Sequence, residues 1–177
     1  GAMFESRLAG LPLLHRGKVR DNYAIGNDRL LIVASDRLSA FDVVMKAPVP
    51  GKGRLLTEMA PFWFDLLKGV VPNHLSGDAP ESVVAPDEVA QVRGRSMLVK
   101  RLRPLPCEAV VRGYVAGSGW KEYSRSGMVS GQALPAGLTM TTPLQQAIFT
   151  PATKAAVGEH DENISFEQMC EIVPKRD

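Results

Sequence analysis

The chain has no run of about 18 apolar residues, so no segment reads as crossing a bilayer, and nothing at its start resembles a signal peptide. Cysteine is scarce. Cys107 and Cys170 make no C-x-x-C pair, and His15, His74 and His160 are scattered, which argues against a structural zinc site and a disulfide framework. Two free thiols in a reducing cytoplasm is the simplest reading. An excess of one charge is also missing: the formal net charge is +2. That value does not point to nucleic acid, although a local basic patch could bind phosphate without showing in the sum. The G-x-x-x-x-G-K-[S/T] phosphate loop is absent, and so are H-R-D and D-F-G, which weakens a protein-kinase reading. There is no internal repeat and no low-complexity tract. With 177 residues, 45% hydrophobic and 23% charged, the composition excludes wholesale disorder and fits one domain or a large part of a two-lobed enzyme. Gly1-Ala2-Met3 reads as the remnant of a removed expression tag.

Residues 28–34 (DRLLIVA) form a short apolar run after Gly26-Asn27 and read as a buried strand, with residues 17–24 as its hairpin partner. Residues 55–68 place Leu56, Met59, Ala60, Trp63, Leu66 and Leu67 on one helical stripe, with Gly69 as the stop. Residues 73–90 read as connecting structure. Residues 96–102 and 108–115 read as strands, kept apart by Pro104 and Pro106. Residues 117–126 read as a short helix ended by Gly127, and residues 132–142 as turns. Ser165 and Gln168 have capping-box spacing at the start of a last helix carrying Phe166, Met169, Cys170 and Val173. The pattern is α+β. It lacks the β-α-β rhythm of a Rossmann domain.

Several segments carry groups suited to chemistry. Gly17-Lys18-Val19-Arg20-Asp21 joins a glycine, which lets backbone approach phosphate oxygens, to two cations; a plain basic hairpin is the alternative. Ser35-Asp36-Arg37-Leu38-Ser39-Ala40-Phe41-Asp42 follows a strand and concentrates acids and hydroxyls, either as a ligand loop or as a turn capped by its own side chains. Lys52 and Arg54 sit on a flexible loop. On a regular strand Glu108 and Arg112 share a face, where they would line a pocket or form an ion pair. Arg112 with Ser118 makes a credible clamp for phosphate or carboxylate at a strand-to-helix junction. Phe149-Thr150-Pro151-Ala152-Thr153-Lys154 leads to Gly158-Glu159-His160-Asp161-Glu162-Asn163-Ile164-Ser165. Adjacent His160, Asp161 and Glu162 diverge too much to share one metal, and a helix-entry loop is the plain reading.

In this order these segments resemble the SAICAR synthetase family (phosphoribosylaminoimidazole-succinocarboxamide synthase), closest to its larger form with S-D-R-[I/L]-S-A-F-D. The resemblance runs from about Leu11 to Val173, and it carries the functional expectation; composition and periodicity do not. It implies a kinase-like or ATP-grasp-like architecture: an N-terminal ATP-binding lobe over residues 4–103 and the start of a substrate lobe over residues 104–177. It implies an ATP-dependent ligase that joins L-aspartate to carboxyaminoimidazole ribonucleotide through an acyl phosphate, with ATP and Mg²⁺ as cofactors. By resemblance, Gly17, Lys18, Arg20, Lys100, Leu102 and Glu108 serve ATP. Ser39, Asp42, Lys52, Arg112, Ser118, His160, Asp161 and Asn163 serve the ribonucleotide and aspartate, and Lys154 and Asp36 stand at the chemistry. No metal ligand is assigned. The partners implied are these small molecules, with no nucleic acid and no membrane. Nothing specifies an oligomeric state.

The family's later D-x-K-x-E-F-G and D-S-S-R-like segments do not occur here. The chain therefore reads as the N-terminal portion of the enzyme, with little or no ligase activity expected of these residues alone. The alternative is a catalytically incompetent nucleotide-binding module.

Overall fold

The computed structural model describes residues 1–41, 43–154 and 161–174. The chain divides into two compact units, Gly1–Arg103 and Pro104–Asp177.

The first unit is built on three strands, β1 (Leu13–Arg16), β2 (Arg20–Ile25) and β3 (Arg29–Ala34). Gly26 turns the β2-β3 hairpin with φ 59, a conformation that costs glycine little. A two-residue pair follows, β4 (Ser39–Ala40) with β5 (Val43–Val44), and then helix α1 (Lys52–Leu66). A 3₁₀ turn (Pro80–Val83) and the short α2 (Val89–Val92) lead into β6 (Ser96–Lys100). β6 completes a four-stranded antiparallel sheet of order β1-β2-β3-β6. Alternation along the strands sends Tyr23, Ile25, Leu31, Val33 and Leu98 to one face, where they form the core with Leu8 and Val92. Full burial of Leu31 or Val33 stabilises the fold by about 1.5–3 kcal/mol each. Met3 packs against this core too.

Helix α1 meets the other face of the sheet, near Ile32, Ala34 and Met97. It starts earlier than the periodicity suggests because Gly51 adopts φ 83 at its N-cap. Gly53 permits the close approach: a β-carbon there would overlap the Ala34 carbonyl oxygen and lie 2.9 Å from that of Ser35. Only Gly53 and Thr57 of the helix are buried. The apolar stripe of Leu56, Met59, Trp63 and Leu66 stays largely exposed, so in this chain its periodicity marks a helix but not a buried face.

The second unit holds β7 (Cys107–Glu108), β8 (Val111–Tyr114), α3 (Ser118–Ser126), β9 (Met128–Val129), β10 (Gln132–Ala133), β11 (Pro143–Phe149), β12 (Ala152–Thr153) and α4 (Phe166–Ile172). The single strand expected over residues 108–115 is broken. β7 pairs with β12 and β8 with β11, and between them the Val110 carbonyl accepts the Thr150 amide at 2.8 Å. Gly127 ends α3 in the left-handed region with φ 70, its amide donating to the Tyr123 carbonyl. Ser130 and Gly131 both have positive φ (51 and 77), the mirror-image turn that suits a two-residue hairpin between β9 and β10. Val115, Tyr123 and Val129 form a small core beneath Trp120, Leu134 and Ile148. The capping box of α4 is present: Ser165 Oγ accepts the Gln168 amide, and the Gln168 side chain accepts the Ser165 amide. None of the α4 residues is buried.

Candidate functional site

In the first unit the residues of interest gather where the β1-β2 loop meets the end of β3. The loop closes through the Gly17 amide, which donates to the Arg20 carbonyl at 2.7 Å, so β2 begins at Arg20 and the Gly17-Lys18-Val19 stretch lies outside the sheet. The Lys18 and Arg20 side chains are exposed. Arg20, Lys52 and Thr57 line one narrow recess together with Val19, Ile32 and Leu56. Ser39 is half-buried and pairs with Val44 in the β4-β5 ladder.

Beneath the loop two carboxylates are wholly buried. Asp21 accepts Arg37 at 2.7 Å, Arg16 at 3.1 Å, and both the amide and the hydroxyl of Ser6. Burial alone pushes its carboxyl up; the bonds from Arg37 and Ser6 outweigh that and hold it below the usual carboxylate value. Asp36 accepts the Met3 amide at 2.8 Å, the Gly53 amide at 2.9 Å and the Arg95 guanidinium at 3.2 Å. Here too burial raises the carboxyl, while the Met3 and Gly53 amides and Arg95 bring it down further, to a net value below normal. Asp36, expected at the chemistry, has 0% exposure and ties together the chain start, Arg95 just before β6 and the first turn of α1. Lys100 and Leu102 border a different space. They lie with Phe64, Leu67, Val71 and His74 along an open cavity of about 470 Å³, and burial holds the His74 imidazole below its ordinary value.

In the second unit Arg112 is the centre. Its Nε donates to Thr150 Oγ1 at 2.9 Å, one terminal nitrogen donates to the Ala116 carbonyl at 3.1 Å, and the other to Ser118 Oγ at 2.8 Å. Gly119 makes room for it, since a β-carbon there would crowd the Arg112 side chain from Cδ to Cζ at 3.2–3.4 Å. Ser118 opens α3, whose N-terminal amides and dipole favour an anion. Asn163 is tied in by Nδ2, which donates to Glu122 at 2.8 Å; the second Glu122 oxygen accepts the Ser130 amide at 2.9 Å. Ser118, Lys121, Glu122, Arg125 and Asn163 line an open cavity of about 480 Å³.

The structure thus brings Arg112, Ser118 and Asn163 into one cluster. It does not bring Glu108 to Arg112. The break in the strand removes the common face, and Glu108 is exposed opposite Ala152 on β12. Lys154 is exposed just beyond β12, its amide donating to the Pro106 carbonyl at 3.3 Å, and Asp161 is exposed as well. Asp42 and His160, with Gly158 and Glu159, lie outside the described residues. Lys121, Glu122 and Arg125 escaped notice in the sequence, although their spacing from Ser118 (i+3, i+4, i+7) puts them on one helix face. Thr150 stood within a quoted motif without a role of its own, and Arg95 carried no local signal. Among the described residues there is no group of three or more His, Cys, Asp or Glu side chains able to hold a metal; a Mg²⁺ that arrives with ATP needs only one or two carboxylates beside the phosphates. Among those residues no helix is long and apolar enough to cross a membrane.

The model of the SAICAR synthetase family matches residues 13–176. The chain belongs to the SAICAR synthetase family. Phosphoribosylaminoimidazole-succinocarboxamide synthase of Methylibium petroleiphilum is 70% identical over 97% of this chain, which spans 57% of that relative. The protein of the same description from Leptothrix cholodnii is 69% identical with the same coverage. The chain therefore spans little more than half the length of these family members. Among solved structures, the Saccharomyces cerevisiae SAICAR synthase complexed with SAICAR is 42% identical with a TM-score of 0.87, over 97% of this chain and 59% of that one. A type-2 SAICAR synthetase in complex with ADP has a TM-score of 0.64 at 27% identity, over 89% of this chain and 56% of that one. The α+β fold is that of the SAICAR synthetases.

Proposed function

We propose that this chain carries the ATP-binding lobe and the first part of the substrate lobe of an ATP-dependent ligase. The reaction joins L-aspartate to carboxyaminoimidazole ribonucleotide and gives SAICAR, ADP and phosphate. The observation that carries the reading is the Arg112 cradle. A guanidinium has five N–H donors. Three of those on Arg112 are spent on Thr150, Ala116 and Ser118, which fixes its plane and leaves two for an anion. With the start of α3, and with Lys121 and Arg125 along the same cavity, this arrangement suits the phosphate of a ribonucleotide. The neighbour solved with SAICAR and the neighbour solved with ADP support the two halves of the proposal.

In this reading Lys18 and Arg20 take the ATP phosphates, and the stretch at Lys100 and Leu102 borders the base. Lys52, Ser39 and Lys154 serve the carboxylate and amino-acid end. ATP turns a poorly electrophilic carboxylate into an acyl phosphate, the aspartate amine attacks its carbonyl carbon, and phosphate leaves with the bonding pair. The chain's own cations offset charge on the reacting anions and hold them close. The reading puts the protein in the cytoplasm, where Cys107 and Cys170 stay reduced.

A second reading is that these residues bind nucleotide without completing catalysis. Mass spectrometry of mixtures of purified protein, Mg-ATP, ribonucleotide and aspartate, each omitted in turn, is the test. It is paired with calorimetric binding of MgADP and of the ribonucleotide. SAICAR that requires all three substrates is the result expected for the ligase. Saturable binding of both nucleotides without product is the result expected for the second reading. No saturable binding of either nucleotide refutes both.

A further inference from the structure

Arg37 lies next to the proposed phosphate loop, and its donors go to the protein itself. It is 3% exposed, and its charge is matched by the buried Asp21 carboxylate at 2.7 Å. Its remaining donors go to backbone carbonyls. Nε donates to Lys18 O at 3.1 Å, one terminal nitrogen to Gly17 O at 2.9 Å, and the other to Phe4 O. Its neighbour Ser35 takes the next carbonyl: both its hydroxyl (2.7 Å) and its amide (3.1 Å) donate to Val19 O. Three successive carbonyls of the loop, at 17, 18 and 19, are therefore drawn inward onto two buried side chains.

We infer that Arg37 is the positioning residue of the loop at residues 17–20, and that it acts by removing carbonyl oxygens from the face an anion must approach. A carbonyl oxygen carries partial negative charge. One left pointing at a triphosphate repels it, and a loop free to flip its peptides presents such oxygens part of the time. Arg37 ends that freedom with a rigid fork that lysine lacks. Buried and neutralised by Asp21, it adds no net charge for the ligand, so its contribution is geometric. The inference rests on the reading of this loop as the ATP phosphate site, and it adds a residue that touches no substrate.

The test uses Arg37→Lys, Ser35→Ala and Lys18→Ala, with two readouts. The first needs no ligand: hydrogen exchange at the amides of residues 17–20, with α3 of the other unit as internal control. The second is MgADP affinity by calorimetry. Arg37→Lys is expected to speed loop exchange by at least about tenfold and to weaken MgADP by a similar factor, the weight of one charge-assisted hydrogen bond, while α3 is unchanged. Ser35→Ala, which removes the hydroxyl that donates to Val19 O and accepts the Arg37 amide at 3.3 Å but leaves no charge unpaired, is expected to speed loop exchange by about threefold and decides the matter if Arg37→Lys does not fold. Unchanged loop exchange in a folded variant overturns the inference. So does a loosened loop with unchanged MgADP affinity when Lys18→Ala weakens binding. If neither Arg37→Lys nor Lys18→Ala affects MgADP while the loop loosens, the phosphate reading of the loop falls and the Arg37 clamp stands.

Discussion

Replacing Gly53 with alanine tests the packing that brings α1 to the sheet. Elsewhere in a helix this change stabilises, because glycine carries a propensity penalty of about 1 kcal/mol. Here the added β-carbon would overlap the Ala34 carbonyl oxygen and stand 2.9 Å from the Ala34 carbonyl carbon and the Ser35 oxygen. All of these are backbone atoms of β3 and the turn after it, so no flexible side chain can give way. The first turn of α1 has to move off. That shift breaks the bond from the Gly53 amide to the buried Asp36 carboxylate. Overpacking costs about 1–3 kcal/mol and loss of a hydrogen bond to a charged group about 1.5–3 kcal/mol. Set against the propensity gain, the net is a destabilisation of about 1.5–5 kcal/mol. For a unit the size of Gly1–Arg103 that is a fall in Tm of at least about 6 °C. Thermal and urea melts followed by circular dichroism measure it. A variant as stable as the parent would refute the claim that α1 sits at a distance only glycine permits.

Acid should weaken the fold through Asp21 and Asp36. Both have folded-state values below the ordinary carboxylate value, so their contribution is complete above about pH 4 and is lost as pH falls through the folded values. The urea midpoint should therefore hold from about pH 7 to 5 and drop below about pH 4; a midpoint unchanged at pH 3 would contradict this. Arg112→Lys keeps one charge but gives up the fork that reaches Thr150, Ala116 and Ser118. Ribonucleotide affinity is expected to fall by at least about tenfold with MgADP affinity unchanged, and equal losses for both ligands would argue against a ribonucleotide site.

How legible the molecule was depends on the range of the interaction. The β2-β3 hairpin, α3 with its glycine stop, and the Ser165-Gln168 capping box rest on contacts within a few residues, and the sequence displays them directly. Arg112 with Ser118 was legible for the same reason, since six residues separate them across one strand end and one helix start. The break between β7 and β8 was not. It depends on Thr150, whose amide meets Val110 from 40 residues away, and local alternation at 108, 110 and 112 gives no hint of it. The burial of Asp36 was hidden for a related cause. A carboxylate in a polar loop looks available until Met3, Gly53 and Arg95 arrive from three distant segments to occupy it.

The sequence by itself determined the family, through motifs whose residue types and order are retained, and the α+β character, through short-period patterns that any window displays. Only the tertiary structure decided which polar groups are available to a ligand and which are consumed by the fold. Arg37 and Arg112 are both arginines with a serine a few residues away in sequence. Arg37 is buried against Asp21 and three carbonyls, while Arg112 is only half-buried and binds Ser118, which lines a cavity. The physical reason is that a guanidinium distributes its five donors according to the partners that folding brings within about 3 Å, and those partners come from parts of the chain that no local pattern connects.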